Sequence, residues 1–235
     1  MTSVISLGGS IVAPDKVDEH YLEKFVKLIK EFLLEDAERR FIIVVGGGGP
    51  ARAWQAAYRN VSAALGDTVN YEYEDLIGIM ATRLNAQLVK ALFGAYCKDD
   101  VVSDPSADYA GGLFNGRVLL AAGWKPGFSS DNDAVLLAIR FGAKTVINLS
   151  NIEKVYTADP RIDPLAKPID SISWKDFRVI TGSEWTPGKN VPFDPVASRG
   201  AEDAGIEVIC AAGHKLENLR QILRGAPYTG THIHA

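Results

Sequence analysis

Apolar residues recur along this chain in two alternating rhythms. Short β-branched runs, Ser3-Val4-Ile5-Ser6-Leu7 and Phe41-Ile42-Ile43-Val44-Val45, have the length and make-up of buried strands. Between them, residues 18–34 place Tyr21, Phe25, Leu28, Ile29 and Phe32 on one face of a 3.6-residue period, which predicts a helix. The alternation continues with helices over 51–64 and 75–93, a strand over 117–122, a helix over 131–141 and a strand over 145–149. A helix over 195–204, a strand over 206–210, a helix over 215–223 and a last edge strand over 231–234 complete it. This order predicts an α/β fold with a largely parallel sheet and helices on both faces. The segment 151–193 breaks the rhythm with Pro160, Pro164, Pro168, Pro187 and Pro192, and reads as a long surface excursion.

Each of the first two strands runs into glycines: Gly8-Gly9-Ser10 after the first, Gly46-Gly47-Gly48-Gly49 after the second. Right-handed crossovers put both turns on one rim of the sheet. Glycine at a strand-to-helix turn lets backbone N–H groups close on an anion, so each turn is a phosphate-site candidate. Two of them suggest two phosphate-bearing ligands brought together, as phosphoryl transfer requires. The second turn also fits G-x-G-x-x-A, but no compact strand ending in an acid follows about 20 residues on, which argues against a dinucleotide site. The P-loop pattern is absent.

Composition narrows the classes. At 235 residues the chain can bury a sizeable core, and 47% hydrophobic with 23% charged residues is ordinary for a soluble domain. A net charge of −4 without a basic run argues against nucleic acid or an anionic membrane as partner. No apolar run is read as approaching the ~18 residues of a membrane span. With no leader pattern and two distant cysteines, Cys97 and Cys210, the expectation is a cytoplasmic protein with free thiols.

Arg52, in the first turn after the second glycine run, is placed to hold a phosphate; a solvated surface arginine is the alternative. Asp131 and Asp194 open two helices, where a plain cap competes with a role near Mg²⁺ and transferring phosphates. His232 and His234 share one strand face, but two ligands without a third are weak grounds for a metal. Trp124 and Trp185 are candidates for a ligand rim, with core or interface packing the blander reading.

In order, several blocks resemble the amino acid kinase superfamily and, within it, the archaeal-type uridylate kinases. They are Leu7-Gly8-Gly9-Ser10, Val44-Val45-Gly46-Gly47-Gly48 with Ala51-Arg52, Asp75-Leu76-Ile77-Gly78, Thr82-Arg83-Leu84-Asn85-Ala86, Pro126-Gly127-Phe128-Ser129-Ser130-Asp131, Tyr156-Thr157-Ala158-Asp159-Pro160 and Phe193-Asp194-Pro195. The resemblance implies a three-layer α/β/α sandwich, one domain over 1–235, that transfers phosphate from ATP to UMP. Residues 1–122 would form the acceptor-phosphate side and residues 123–235 the ATP side. It implies ATP contacts at Gly9, Ser10, Gly48, Arg52, Ser150, Asn151, Tyr156 and Asp159. It implies UMP contacts at Gly47, Asp75, Gly123, Trp124, Lys125, Pro126, Gly127, Phe128, Ser129 and Ser130. Arg52, Asp131 and Asp194 would act on the reacting phosphates, with Mg²⁺ arriving on ATP and no metal held directly. A homo-oligomer, a hexamer built as a trimer of dimers, is implied as well. The chain lacks the lysine many members carry before Gly-Gly-Ser, which makes Lys125 and Lys154 candidate replacements. Two alternatives stay open: a kinase of another small phosphate or carboxylate, and a nucleotide-binding storage or regulatory protein without turnover.

Overall fold

A computed structural model describes residues 2–109, 112–182 and 191–235. Its elements are β1 (Thr2–Leu7), α1 (Gly9–Val12), α2 (Glu19–Glu35), β2 (Arg40–Val45), α3 (Gly48–Leu65), α4 (Tyr71–Phe93), β3 (Val118–Ala121), α5 (Ser130–Phe141) and β4 (Thr145–Ser150). After these come β5 (Val155–Tyr156), β6 (Pro168–Ile169), β7 (Ser171–Ser173), α6 (Trp174–Thr181), α7 (Pro195–Asp203), β8 (Glu207–Ala212), α8 (Leu216–Arg224) and β9 (Thr231–His234).

The main sheet runs β3-β2-β1-β4-β8-β9-β7. The first five of these strands are parallel to one another, and β9 turns antiparallel to β8. Because successive strand side chains point to opposite faces, each strand feeds two cores. Ile5, Leu7, Ile43 and Val45 pack with Phe25, Ile29 and Phe32 of α2, Val89 of α4 and Leu219 of α8. Val4, Ile42, Val44 and Val146 pack on the other face with Ala134, Val135 and Ala138 of α5, Phe177 of α6 and Ala197 of α7. The result is the expected three-layer α/β/α arrangement.

Local chemistry sets the helix ends. Asp18 caps α2 by accepting from the Tyr21 amide at 2.9 Å. At the other end the Arg117 guanidinium donates to the Leu33 and Asp36 carbonyls, filling acceptors a helix end leaves open, and to the Arg39 carbonyl beyond it.

Several expectations change. Helix α3 begins at Gly48 rather than residue 51, so the last glycines wind its first turn. Helix α4 begins at Tyr71 rather than residue 75, because Asn70 caps it by accepting from the Glu72 and Tyr73 amides. The 151–193 stretch is only partly an excursion. Its β7 pairs with β9, so β9 is an inner strand, and α6 buries Trp174 and Phe177. The Trp174 indole donates to the Ile206 carbonyl at 3.1 Å. A three-residue strand and an eight-residue helix are too short for a periodic signal to stand out.

The stretch 71–96 does have the length and apolar character of a membrane span, contrary to the composition reading. Its Ala86, Val89 and Phe93 pack into the core while Tyr73, Met80 and Leu84 stay exposed, so it serves as a layer of the fold. Trp185 and Pro187 lie outside the described residues.

Candidate active site

The chain leaves β1 for β2 on one side and later adds β4 on the other, so the strand order reverses between β1 and β4. Crevices beyond the carboxyl ends at such a reversal are where open α/β sheets bind ligands. Both glycine turns lie there. The Gly8 amide donates to the Leu149 carbonyl at 2.8 Å, the Gly46 amide to Leu7 at 2.9 Å and the Gly49 amide to Ala13 at 2.7 Å. A Cβ on Gly9 would run into the amide nitrogens of Gly47 and Gly48, and one on Gly46 would meet the Gly9 amide. The two turns therefore press backbone against backbone, and Gly48 also has a φ of +65°. The glycines are needed for this contact itself, a reason the sequence pattern did not separate from phosphate access. Asn85, 3% exposed, ties the second turn to α4 by donating to the carbonyls of Gly46 (2.9 Å) and Gly47 (3.1 Å).

Arg52 reaches across to the first turn. Its guanidinium donates to Ser10 Oγ at 3.1 Å and to the Pro14 carbonyl at 2.8 Å, at an exposed position. Behind the turns sit the two acids. Ser6 donates to Asp131 Oδ1 at 2.9 Å, and the Asp194 amide donates to Asp131 Oδ2 at 3.3 Å. Asp194, 5% exposed, caps α7 by accepting from Val196 and Ala197 at 2.7 and 2.8 Å. Asp131 does not cap; Ser129 caps α5 instead. Removal from solvent, reinforced by the Asp194 charge, raises the Asp131 carboxyl to about 6 against the Ser6 hydrogen bond.

The loop 123–130 is fastened mainly to α4. Thr82 Oγ1 accepts from the Gly123 amide at 2.8 Å, and Arg83 donates to the carbonyls of Gly123 (3.3 Å) and Trp124 (2.9 Å). Asp75 Oδ2 accepts from the Gly127 amide at 2.9 Å. From α5, Asp133 Oδ2 accepts from the Trp124 amide at 3.2 Å. Lys125 Nζ lies 3.8 Å from the Trp124 ring centroid and 4.8 Å from that of Phe128. Trp124 and Phe128 themselves contact at 4.9 Å between centroids.

The family model described as "Amino acid kinase family" matches residues 1–212. The chain belongs to the amino acid kinase family. The uridylate kinase of Methanospirillum hungatei is 32% identical over 98% of this chain and 93% of its own length. That of Thermoplasma volcanium is 33% identical over 98% of this chain and 96% of its own. The crystal structure of uridylate kinase from Archaeoglobus fulgidus superposes with a TM-score of 0.80 at 29% identity, covering 99% of this chain and 100% of that one.

As a member of the amino acid kinase family, the chain brings only some of its expected nucleotide contacts to the rim. Ser150 abuts Gly8 at the end of β4. Asn151, Tyr156 and Asp159 follow in the excursion, with no hydrogen bond to the glycine turns among the described residues. Asp159 instead binds Arg161 through both oxygens, which holds its carboxyl down at about 2. Lys154, a candidate replacement cation, forms an ion pair with Asp170. His232 pairs with Glu207 and His234 with Ser171, and no group of three or more metal-binding side chains occurs among the described residues. Thr82, Arg83 and Asn85 lie in a block that carries the resemblance, and the sequence alone assigns them no role. Asp133 was missed altogether; its only sequence signal is a second acid at the start of an apolar helix.

Proposed function

We propose that this chain transfers the γ-phosphate of ATP to UMP, giving ADP and UDP. The observation that carries this reading is the joining of Asp75 to the loop 123–130 beside the paired glycine turns. Those are the acceptor-side elements the family pattern names, and they meet in one hydrogen-bonded unit. Residues 1–122 act on the acceptor-phosphate side, and 123–235 carry the ATP side, with the loop 123–130 crossing back to the acceptor. Gly47, Asp75 and that loop hold UMP. Gly9, Ser10, Gly48 and Arg52 hold the phosphates of ATP, while Ser150, Asn151, Tyr156 and Asp159 hold the rest of the nucleotide.

A non-bridging oxygen of the UMP phosphate attacks the γ-phosphorus, the bond to the β,γ-bridging oxygen breaks, and its electron pair leaves with ADP. The acceptor phosphate has a second pKa of ~6, so it is a nucleophile at neutral pH without a general base. Arg52, with the backbone N–H groups at the turns, contributes alignment and charge neutralisation. The acids fit Mg²⁺ held through its water shell. Both Asp131 oxygens and Asp194 Oδ1 already accept protein hydrogens, which leaves few free lone pairs for direct ligation. When bound with ATP, the cation neutralises phosphate charge.

The exposed apolar side chains Trp54, Val61, Tyr73, Met80 and Leu84 of α3 and α4 support self-association, with a hexamer as the proposed state. Both cysteines are free and buried, with burial pushing the Cys210 thiol up to about 12, which fits a reducing, cytoplasmic setting.

The test is coupled ADP release with a panel of nucleoside monophosphates, alongside isopentenyl phosphate and carboxylate acceptors. UMP is expected to be fastest. A faster non-nucleotide acceptor, or ATP binding with no turnover of any acceptor, overturns the assignment.

A further inference from the structure

We propose that Asp133 is a positioning residue for the acceptor site, whose carboxylate holds the Trp124 amide and so fixes where the loop 123–130 leaves the sheet. The inference rests on that loop being the wall of the UMP site.

Helical residues two apart point about 200° from each other, so Asp131 and Asp133 serve opposite sides of the first turn of α5. Asp131 meets Ser6 and Asp194; Asp133 meets Trp124. A carboxylate at a helix start stabilises the dipole equally well from the surface, without being taken out of water. Asp133 is nonetheless 1% exposed, and its Oδ1 has no hydrogen-bond partner among the described residues. Helix capping does not explain this placement, because Ser129 already supplies the cap. The contact the burial does produce is the one to Trp124.

That contact has a distinct place in the loop. Thr82, Arg83 and Asp75 all belong to α4 and hold the loop from one side. Asp133 holds it from α5, the helix that also carries Asp131. A loop pinned to both helices keeps the acceptor wall in register with the acid beside the reacting phosphates. Freed from α5, it would still be attached to α4 but could drift from that register, and small displacements weigh heavily on a bound reactant.

The experiment compares the full-length Asp133→Ala, Asp133→Leu and Asp133→Asn proteins. The first two lack an acceptor; leucine is close in shape to aspartate and serves if alanine does not fold. Asparagine keeps an acceptor for the Trp124 amide. Expected are a roughly tenfold rise in KM for UMP in the alanine and leucine proteins, with KM for ATP within about twofold of wild type, and rescue of KM by asparagine. Amide hydrogen exchange over 122–128 should quicken in alanine and leucine and stay slow in asparagine. Wild-type KM and wild-type protection in the leucine protein overturn the inference, as does an equal rise in both KM values. If wild type does not turn over UMP, the functional reading fails, and the exchange comparison alone decides whether Asp133 holds the loop.

Discussion

Asp133→Asn should raise the stability of the protein at neutral and higher pH, and its stability relative to wild type should climb as pH rises from about 4 to 7. Burial raises the Asp133 carboxyl from its ordinary 3.8 to about 7, with the Asp131 and Asp104 charges reinforcing and the Trp124 amide and the Arg83 charge opposing. A group whose folded pKa lies above its unfolded value destabilises the fold wherever it must ionise. Below pH 4 it is protonated in both states and contributes nothing. Between about 4 and 7 the unfolded chain releases this proton and the folded protein keeps it, so stability falls as pH rises. At about 1.4 kcal/mol per tenfold change in proton affinity, the full penalty above pH 7 is roughly 4 kcal/mol. Asparagine keeps the shape and cannot ionise. It leaves a buried amide group short of partners at a cost of about 1–3 kcal/mol, independent of pH. The difference between variant and wild type should therefore climb by about 1.4 kcal/mol per pH unit across this window and level off above it. For a chain of this size each kcal/mol moves Tm by about 2–4 °C, so thermal melts from pH 4.5 to 8 resolve the effect. Parallel Tm curves for the two proteins would refute the reasoning, because they mean Asp133 does not change protonation on folding in this range.

Arg52→Ala removes two exposed hydrogen bonds, so stability should fall by no more than ~1 kcal/mol while kcat/KM drops on the order of 10²-fold or more; near-normal turnover removes it from the phosphate site. Asp194→Asn keeps its cap geometry and loses only the charge, so a sharp fall in activity, deepest at limiting Mg²⁺, separates a role in transfer from capping. Asp131→Asn, which no cap depends on, should behave alike in the same Mg²⁺ titration. Gly9→Ala drives a methyl group into the Gly47 and Gly48 amides and should lower stability by about 1–3 kcal/mol or more, seen as a Tm loss even without ligands; an unchanged Tm would show the turns are not in close contact.

Strands β1, β2, β3, β4, β8 and β9 and their order of appearance were legible in the sequence, because short apolar runs and a 3.6-residue apolar period are properties of neighbours in sequence. So were the glycine turns, Arg52 and the two helix-opening acids, each announced by its position just after a strand or at a helix start. Which strand lies beside which was not, since pairing joins residues far apart: β7, three residues long, became part of the sheet only by docking on β9. The tertiary structure alone decided that Gly9 and Gly46 press together, that Asp131 meets Ser6 across 125 positions and that Asp75 reaches Gly127 across 52. It also decided that Asp133 is buried. An acid in the first turn of a helix reads the same whether it faces water or protein, and the difference comes from the packing around it, with the Trp124 amide as one neighbour. Local sequence carries propensity and period; burial, and the perturbed chemistry that follows from it, belongs to the packing of elements that the chain brings together only when it folds.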